Sequence, residues 1–233
     1  MMKKSNISSY KYFFLGVLMF LVLGMDLFVM PIDILLFGNK FSYETFFESS
    51  WYILVTHWSI VIAIWIVAVL LIFKWFKRKD VHEDVILIGK VKDTKKLILI
   101  AVIASVMFTI LYSVLFFEQI PQFYREYQSF YLYHGNRAII VSIFQNIYYF
   151  VESMIVVLLL ALMHRAGELW FNSHKYPYGG IGLLLTWGLG HLTKGIDATL
   201  WISGFCIVLG FLFLKANKRW WPSIIFVWLF FLI

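Results

Sequence analysis

The chain has 233 residues, of which 62% are hydrophobic and 14% are charged, and its mean hydropathy is +0.83. These values exclude an ordinary soluble globular domain and predict a polytopic membrane protein with an all-α fold. The formal net charge of +7 comes mainly from basic residues between apolar runs. Such charge is explained by membrane topology, so nucleic-acid binding is not predicted.

The first apolar run, from about Tyr12 to Met30, follows a basic N-terminus that resembles that of a signal peptide. The run is long and no small-x-small cleavage site follows it before Pro31, so we expect it to remain as the first membrane helix. An outer loop is then expected through Ser50. Asp26 either points into the bundle or, in the interpretation we favour slightly, is interfacial because the helix ends early.

A second helix is predicted from about Tyr52 to Phe73, with His57 as a hydrogen-bonded interfacial residue one turn from its outer end. The loop that follows contains eight Lys or Arg residues between positions 74 and 96, which predicts a cytoplasmic location. Residues 80–84 include two aspartates, a histidine and a glutamate, but their spacing does not indicate a metal site. We predict no metal and no cofactor.

Five further helices complete a predicted count of seven. The segment between the third and fourth, residues 118–137, is rich in Tyr and Phe and is expected to lie along the membrane interface or to form a lid. The last helix is short for a bilayer core of about 30 Å, and the last three are short enough for a re-entrant alternative. The predicted bounds are 97–117, 138–163, 180–192, 198–214 and 220–233.

The distribution of positive charge predicts a cell-membrane protein whose N-terminus is cytoplasmic. With seven alternating spans, 16 of the 20 Lys and Arg residues lie on the cytoplasmic side. The four on the outer side are Lys40, Arg125, Arg137 and Lys194. We therefore expect one integral membrane domain, residues 1–233, in which residues 1–117 supply scaffold helices.

Two ionisable residues, Glu152 and His191, lie in the middle of neighbouring apolar runs. If one helix ends near Met163 and the next begins near Gly180, each residue is eleven positions from the shared loop, or about 16 Å from one membrane face at 1.5 Å per residue. The polar segment 163–168 between them is interpreted as a turn with a positive-inside anchor. A Glu–His pair at equal depth is suited to acid–base catalysis, or equally to a structural interhelical hydrogen bond.

The sequence around this pair carries a more specific pattern. Glu152 opens a helix that ends in Leu162-Met163-His164-Arg165, and Trp187-Gly188-Leu189-Gly190-His191 follows in the next helix. Gly204 and Gly210 lie in the third, and Lys215 to Pro222 lead into the last. In order and spacing, residues 138–233 resemble the CPBP family of membrane proteins, also called the Abi or CAAX-protease-like family. The resemblance is carried by about the last 85 residues.

The chain departs from the family pattern at four positions. Ser153 stands where the family has a second Glu, Val157 or a neighbour replaces an Arg, and Phe226 and Phe230 replace a final His and Asn. In the proteases of this family, the resemblance implies that Glu activates water and that histidines hold the oxyanion. Loss of one oxyanion donor can cost about a hundredfold in rate, so the fold is expected to survive these changes better than peptide hydrolysis does.

The resemblance implies three alternative functions. One is a membrane enzyme with catalytic Glu152 and His191 that cleaves a lipidated or membrane-embedded protein. Another is the membrane subunit of a lipoprotein N-acylation system, and the third is a non-enzymatic bacteriocin-immunity or interaction protein. The expected partners are membrane lipids, a lipidated or membrane protein substrate and a possible partner subunit.

Overall fold

The computed structural model is built almost entirely of helices, which confirms the predicted all-α fold. Most of the predicted helix 97–117, and residues 82–84 of the acidic segment, lie outside the described residues, so these predictions stay untested. The structure describes residues 7–38, 45–81, 85–86, 96, 99–100, 102–103, 106–107, 110–111, 114 and 122–232.

Four helical stretches of the described chain are long and apolar enough to cross a bilayer. They are Ser9–Phe37, Trp51–Lys79, Gln122–Phe171 and Ile196–Lys215. Large apolar side chains such as Leu35 and Leu132 point outward, with 85% and 82% of their surface exposed. An outward apolar surface suits lipid contact, so the chain has the build of a multi-pass membrane protein.

The first membrane segment is longer than predicted. Helix α1, Ser9–Leu23, continues through Gly24 into helix α2, Met25–Phe37, so that Pro31 lies inside α2 and not in a loop. The expected early helix end is therefore wrong. The extension buries Asp33, which is completely inaccessible and contacts His57. The helix therefore continues past Pro31, a residue that ordinarily interrupts a helix, and the Asp33 contact joins the following turn to α3.

Helix α3, Trp51–Lys79, runs antiparallel to α1 and α2 and extends six residues past the predicted end. Trp65 Nε1 donates to the carbonyl oxygen of Val22 at 2.7 Å, which joins α3 to α1. Arg137 lies over the ring of Trp51 at 5.2 Å. The end of the bundle at which α3 begins is called the Trp51 end. The opposite end contains Lys79 and Glu168 and is called the Glu168 end.

The aromatic segment predicted as an interfacial loop is mostly a helix. Helix α4, Gln122–His134, packs on α5 with Phe130 buried against Trp58, and a short 3₁₀ turn, Gly135–Arg137, connects α4 to α5. The segment therefore adds a helix to the Trp51 end of the bundle. Its other aromatic residues include Tyr124 and Tyr131, which are exposed.

Helix α5, Ala138–Phe171, is the central helix of the bundle and contacts α1, α3, α4, α6 and α8. Every residue from Ile155 to Glu168 is buried, including the segment that was predicted to be a polar turn. The predicted end at Met163 is therefore wrong. Polar residues continue the helix because their side chains are paired inside the protein, as described below for Glu168.

The chain after α5 forms an irregular helical hairpin. Helix α6, Tyr178–Leu183, passes into a π-helical segment, Leu184–Gly188, and then into a 3₁₀ turn, His191–Lys194. Gly195, with φ of +110°, reverses the chain into helix α7, Ile196–Lys215. Helix α8, Trp220–Leu232, has 13 residues, or about 20 Å, less than a bilayer core of about 30 Å. The predicted count of seven spans stays a prediction.

Glycines allow α6 and α7 to approach closely. A Cβ atom on Gly180 would lie 2.6 Å from the carbonyl oxygen of Cys206 and 2.9 Å from the Cα atom of Gly210. These are backbone atoms, which cannot move aside as the end of a flexible side chain can. The two helices are therefore in direct backbone contact, as small residues permit in membrane bundles.

The substitution Gly180→Ala should destabilise the protein because the added methyl group must push α7 away from α6. We expect a loss of about 1–3 kcal/mol, as for other overpacked positions. Thermal unfolding of the detergent-solubilised protein, followed by tryptophan fluorescence, measures the effect.

Gly24→Ala is the matched control. A Cβ atom on Gly24 would meet its nearest neighbours at 3.5 and 3.8 Å, which are ordinary contact distances. Both variants add one methyl group, but only at Gly180 does this group meet backbone atoms of α7. Equal unfolding midpoints for the two variants would contradict the close packing of α6 and α7.

Candidate functional site

Glu152 lies near the middle of the 34-residue helix α5 and is partly buried. It interacts electrostatically with two tyrosines of the preceding turn, Tyr148 and Tyr149. The helical spacing of three and four residues places all three side chains on neighbouring positions of one helix face. Glu152 is thus part of a polar group inside an apolar helix.

Tyr149 connects this group to α4. Its hydroxyl donates to Glu126 Oε1 at 2.8 Å and accepts a hydrogen bond from Gln145 Nε2 at 3.1 Å. Gln122 Nε2 donates to the same Glu126 oxygen at 2.9 Å. A second carboxylate, that of Glu126, is therefore hydrogen-bonded to a tyrosine that neighbours Glu152. The sequence analysis did not single out Glu126, because it assigned residues 118–137 to a loop.

His191 begins the 3₁₀ turn at the tip of the hairpin and is partly buried. Its Nδ1 atom is 2.8 Å from the carbonyl oxygen of Trp187. Since a carbonyl only accepts, Nδ1 carries the proton and Nε2 is the proton-accepting atom of the neutral ring. The preceding π-helical segment is a feature that often accompanies functional sites.

Aromatic rings connect the surroundings of the two predicted site residues. The ring of Trp187 is 4.8 Å from that of His191 and 6.1 Å from that of Phe231. Phe231 in turn stacks on Tyr149 at 5.2 Å. His191 and Glu152 therefore border one aromatic cluster formed by α5, α8 and the hairpin.

The helix ends that were used to place the pair at equal depth are wrong, since α5 ends at Phe171 and α6 begins at Tyr178. A Cβ atom on Gly182 would meet Met163, so these two residues lie side by side. The nine residues from Gly182 to His191 include a π-helical segment, so the α-helical rise does not fix the height of His191 relative to Glu152. A direct contact between the two side chains stays a prediction.

The four residues at which the chain differs from the pattern it resembles have defined surroundings in the fold. The hydroxyl of Ser153 donates to the carbonyl oxygen of Tyr149 at 2.7 Å, so it is used within its own helix. Phe230 stacks on Phe205 with 3.6 Å between ring centres, and Phe226 stacks on the same ring at 5.5 Å. Phe226 and Phe230 are therefore part of a packed apolar stack. Val157 is completely buried.

A second ionisable group joins Asp26 and His57, which the sequence analysis considered separately, with Asp33, which it placed in a loop. His57 lies between two carboxylates of α2, with Nδ1 2.5 Å from Asp33 Oδ2 and Nε2 3.0 Å from Asp26 Oδ1. His57 and Asp33 are buried, and the side chain of Asp26 is 32% exposed. The spacing of Asp26 and Asp33, two helical turns apart, was the only sequence signal for this triad.

A third group surrounds Glu168, whose side chain is completely inaccessible. Its Oε1 atom accepts from His164 Nε2 at 3.1 Å, His174 Nδ1 at 2.9 Å and Lys218 Nζ at 2.5 Å. Its Oε2 atom accepts from Arg165 Nη1 at 3.2 Å. The carboxylate therefore joins α5 to the turn before α6 and to the turn before α8.

Among the described residues, no group of three or more His, Cys, Asp or Glu side chains has a geometry that could hold a metal ion. The triad of His57 illustrates the reason, because both ring nitrogens face carboxylate oxygens. The carboxylates, histidines and tyrosines of these groups are suited to proton transfer and hydrogen bonding. We compared the chain with protein-family models, curated proteins and solved structures, and none matches.

The substitution Glu168→Gln should destabilise the protein strongly because it leaves the cations of Arg165 and Lys218 without their carboxylate. Breaking a buried ion pair by removing one partner costs about 3–5 kcal/mol. Unfolding in detergent, measured as for the glycine variants, should show a lowered midpoint.

Lys175→Gln is the matched control. Lys175 is exposed in the turn before α6, and its substitution also removes one charge. We expect it to change stability by less than about 0.5 kcal/mol. If the Glu168 and Lys175 variants unfold alike, the carboxylate does not hold these segments together.

Proposed function

We propose that this protein is a membrane enzyme that acts on a lipidated or membrane-embedded protein, with Glu152 as general base and His191 as its partner. The observation that carries the proposal is the position of Glu152, a partly buried carboxylate near the middle of a long apolar helix. An ionisable residue at such depth is costly and is typically retained for function. The resemblance of residues 138–233 to the CPBP family is the second support.

His191 suits the role of proton-transfer partner. Its Nδ1 atom is engaged by the carbonyl oxygen of Trp187, which orients the ring and leaves Nε2 as the basic atom. The π-helical segment turns the chain so that His191 is placed at the tip of the hairpin. His191 and Glu152 border the same aromatic cluster of Trp187, Phe231 and Tyr149, which supports a pair acting on one substrate group.

Of the two chemistries implied by the family resemblance, acyl transfer to an amine fits this site better than peptide hydrolysis. Both pass through a tetrahedral intermediate, whose oxyanion needs hydrogen-bond donors. Phe226 and Phe230 form an apolar stack where the family's proteases carry polar side chains. An amine is a stronger nucleophile than water, and an ester is a more reactive acyl donor than a peptide amide. Acyl transfer therefore depends less on the polar side chains that Phe226 and Phe230 replace.

The proposed reaction transfers an acyl group from a lipid ester to the α-amine at the N-terminus of a lipidated protein. Glu152 takes a proton from the amine as its nitrogen attacks the ester carbonyl carbon. The new C–N bond forms, the ester C–O bond breaks, and the leaving alcohol receives a proton from the Glu152 and His191 pair. Substrate and donor both reside in the membrane, so a site within the bundle is reached from the lipid phase.

The orientation that we propose places the N-terminus in the cytoplasm of a cell whose plasma membrane holds the protein. The basic residues in the last turn of α3, Lys77, Arg78 and Lys79, lie at the Glu168 end, which is then the cytoplasmic end. The Trp51 end faces outward, where lipidated N-termini are exposed. A partner subunit that presents the substrate is compatible with this arrangement.

We expect Glu152→Gln to abolish the acylation that the wild-type protein supports. Removing a general base lowers a rate about 10²–10⁴-fold. Mass spectrometry of membrane-protein N-termini, with their lipid modifications, should show one acyl chain fewer in cells carrying Glu152→Gln or a deletion than in wild-type cells.

Asp197→Asn serves as the control because Asp197 is an exposed carboxylate in the first turn of α7, near the same tip. It should leave the acylation unchanged. New cleavage sites in wild-type cells would show that the reaction is proteolysis and not acyl transfer. Identical spectra from all strains would contradict both enzymatic functions and favour an interaction protein.

A further inference from the structure

A cleft opens on the surface of the bundle at the Glu168 end, where α7 ends and α8 begins. From these two helices and the turn between them it is lined by Leu212, Lys215, Ala216, Pro222, Ser223 and Phe226. Apart from the lysine and the serine these side chains are apolar, and the hydroxyl of Ser223 donates to the carbonyl oxygen of Arg219 at 2.8 Å. The cleft therefore combines one cation with walls that suit a hydrocarbon chain.

The cleft runs from the end of the bundle toward its middle. Lys215 is the last residue of α7, and Pro222 is the third residue of α8. At about 1.5 Å per residue, Phe226 lies about 6 Å further along α8 than Pro222, and Leu212 lies almost one turn of α7 deeper than Lys215. A ligand that fills this cleft must therefore be polar near Lys215 and apolar deeper in the bundle.

The helices around the cleft face the membrane. Helix α7 is long and apolar enough to cross a bilayer, and its side chains Leu200 and Phe211 are exposed. Trp221, at the start of α8, is also exposed, and tryptophan is enriched where the bilayer meets water. The cleft therefore opens onto a lipid-facing surface, and its occupant comes from the membrane.

The charge of Lys215 is not used inside the protein. Lys218, three residues later, donates to the buried carboxylate of Glu168, as Arg165 does. Asn217 and Lys218 have φ of 52° and 58°, so the chain turns between the two lysines. Lys215 stays exposed and forms no ion pair in the part of the chain that the structure describes. It can therefore bind an anion from outside the protein.

Further positive charge lies at the same end of the bundle. Phe73 of α3 packs edge-on against Trp220 of α8, with ring centres 5.2 Å apart, so α3 ends beside the start of α8. The last turn of α3 contains Lys77, Arg78 and Lys79, which are exposed. Clusters of lysine and arginine at a membrane surface attract anionic lipids. This charge favours an anionic phospholipid over a zwitterionic one.

We propose that the cleft between α7 and α8 binds one anionic phospholipid, such as phosphatidylglycerol. The phosphate lies at Lys215, and one acyl chain follows the apolar walls toward Phe226. A water-soluble phosphate meets only part of this site, because the acyl chain supplies the apolar contact. The binding involves no covalent step and is separate from the reaction proposed for Glu152.

The test uses the purified full-length protein in a mild detergent and native mass spectrometry, which counts the bound lipids. Dioleoylphosphatidylglycerol is compared with dioleoylphosphatidylcholine, which has the same acyl chains but no net charge. We expect the wild type to retain one phosphatidylglycerol in preference to phosphatidylcholine. Lys215→Gln should weaken the binding of this lipid about fivefold, since one lysine near an anionic surface contributes about 1 kcal/mol.

Two controls separate this site from a general attraction. Lys175→Gln removes an exposed lysine of the turn before α6, at the same end but outside the cleft, and should leave the affinity nearly unchanged. Both substitutions replace exposed side chains, so both variants should keep the wild-type unfolding midpoint. Glycerol 3-phosphate carries the phosphate without acyl chains and should not displace the bound phosphatidylglycerol.

Three results would overturn the proposal. One is equal retention of the two lipids by the wild type, and another is equal affinity of the Lys215 and Lys175 variants for phosphatidylglycerol. The third is displacement of the lipid by glycerol 3-phosphate, which would indicate a phosphate site without a role for the cleft. Since the measurement contains no acylation substrate, its result does not depend on the proposed function.

Discussion

The carboxylate of Glu168 is the interaction on which the arrangement of the C-terminal half depends. Its four donors come from α5 itself, from the turn before α6 and from the turn before α8. Fixing these three points sets where the hairpin and α8 begin along the central helix. The glycines of α6 then pack closely against α5, and α8 ends with Phe231 against Tyr149. A pairing at one end of the bundle therefore determines which side chains meet near its middle.

The ionisable residues inside the bundle fall into groups that have different physical characters. Around Glu168 the charge is balanced by Arg165 and Lys218, which is the expected character of a structural ion pair. Around His57, the carboxylates of Asp26 and Asp33 face the two ring nitrogens, and among the described residues no lysine or arginine forms an ion pair with them. The neighbours of Glu152 include Tyr148 and Tyr149. This difference is why we assign structure to the Glu168 group and chemistry to the Glu152 group.

The sequence was sufficient for the fold class and for the presence of membrane helices, because both depend on composition and run length. It was insufficient for helix ends wherever polar residues are paired inside the protein. His164, Arg165 and Glu168 suggested a solvated turn, yet their partners His174 and Lys218 allow them to remain helical and buried. Asp33 was placed in a loop for the same reason, since its partner His57 is 24 residues away in the chain. Glu152 and His191 could be proposed as site residues because an isolated ionisable residue within an apolar run is visible without knowledge of its neighbours.

The central claim is that the Glu152 site catalyses acylation of an amine within the membrane. The most direct measurement incubates membranes from cells containing the wild-type protein with a synthetic peptide whose N-terminal cysteine carries a diacylglyceryl group and a free α-amine. The account predicts that the peptide gains one amide-linked acyl chain, and that membranes with Glu152→Gln yield about a hundredfold less product or lower. An unchanged peptide with wild-type membranes, or equal product with the Glu152 variant, would contradict the claim.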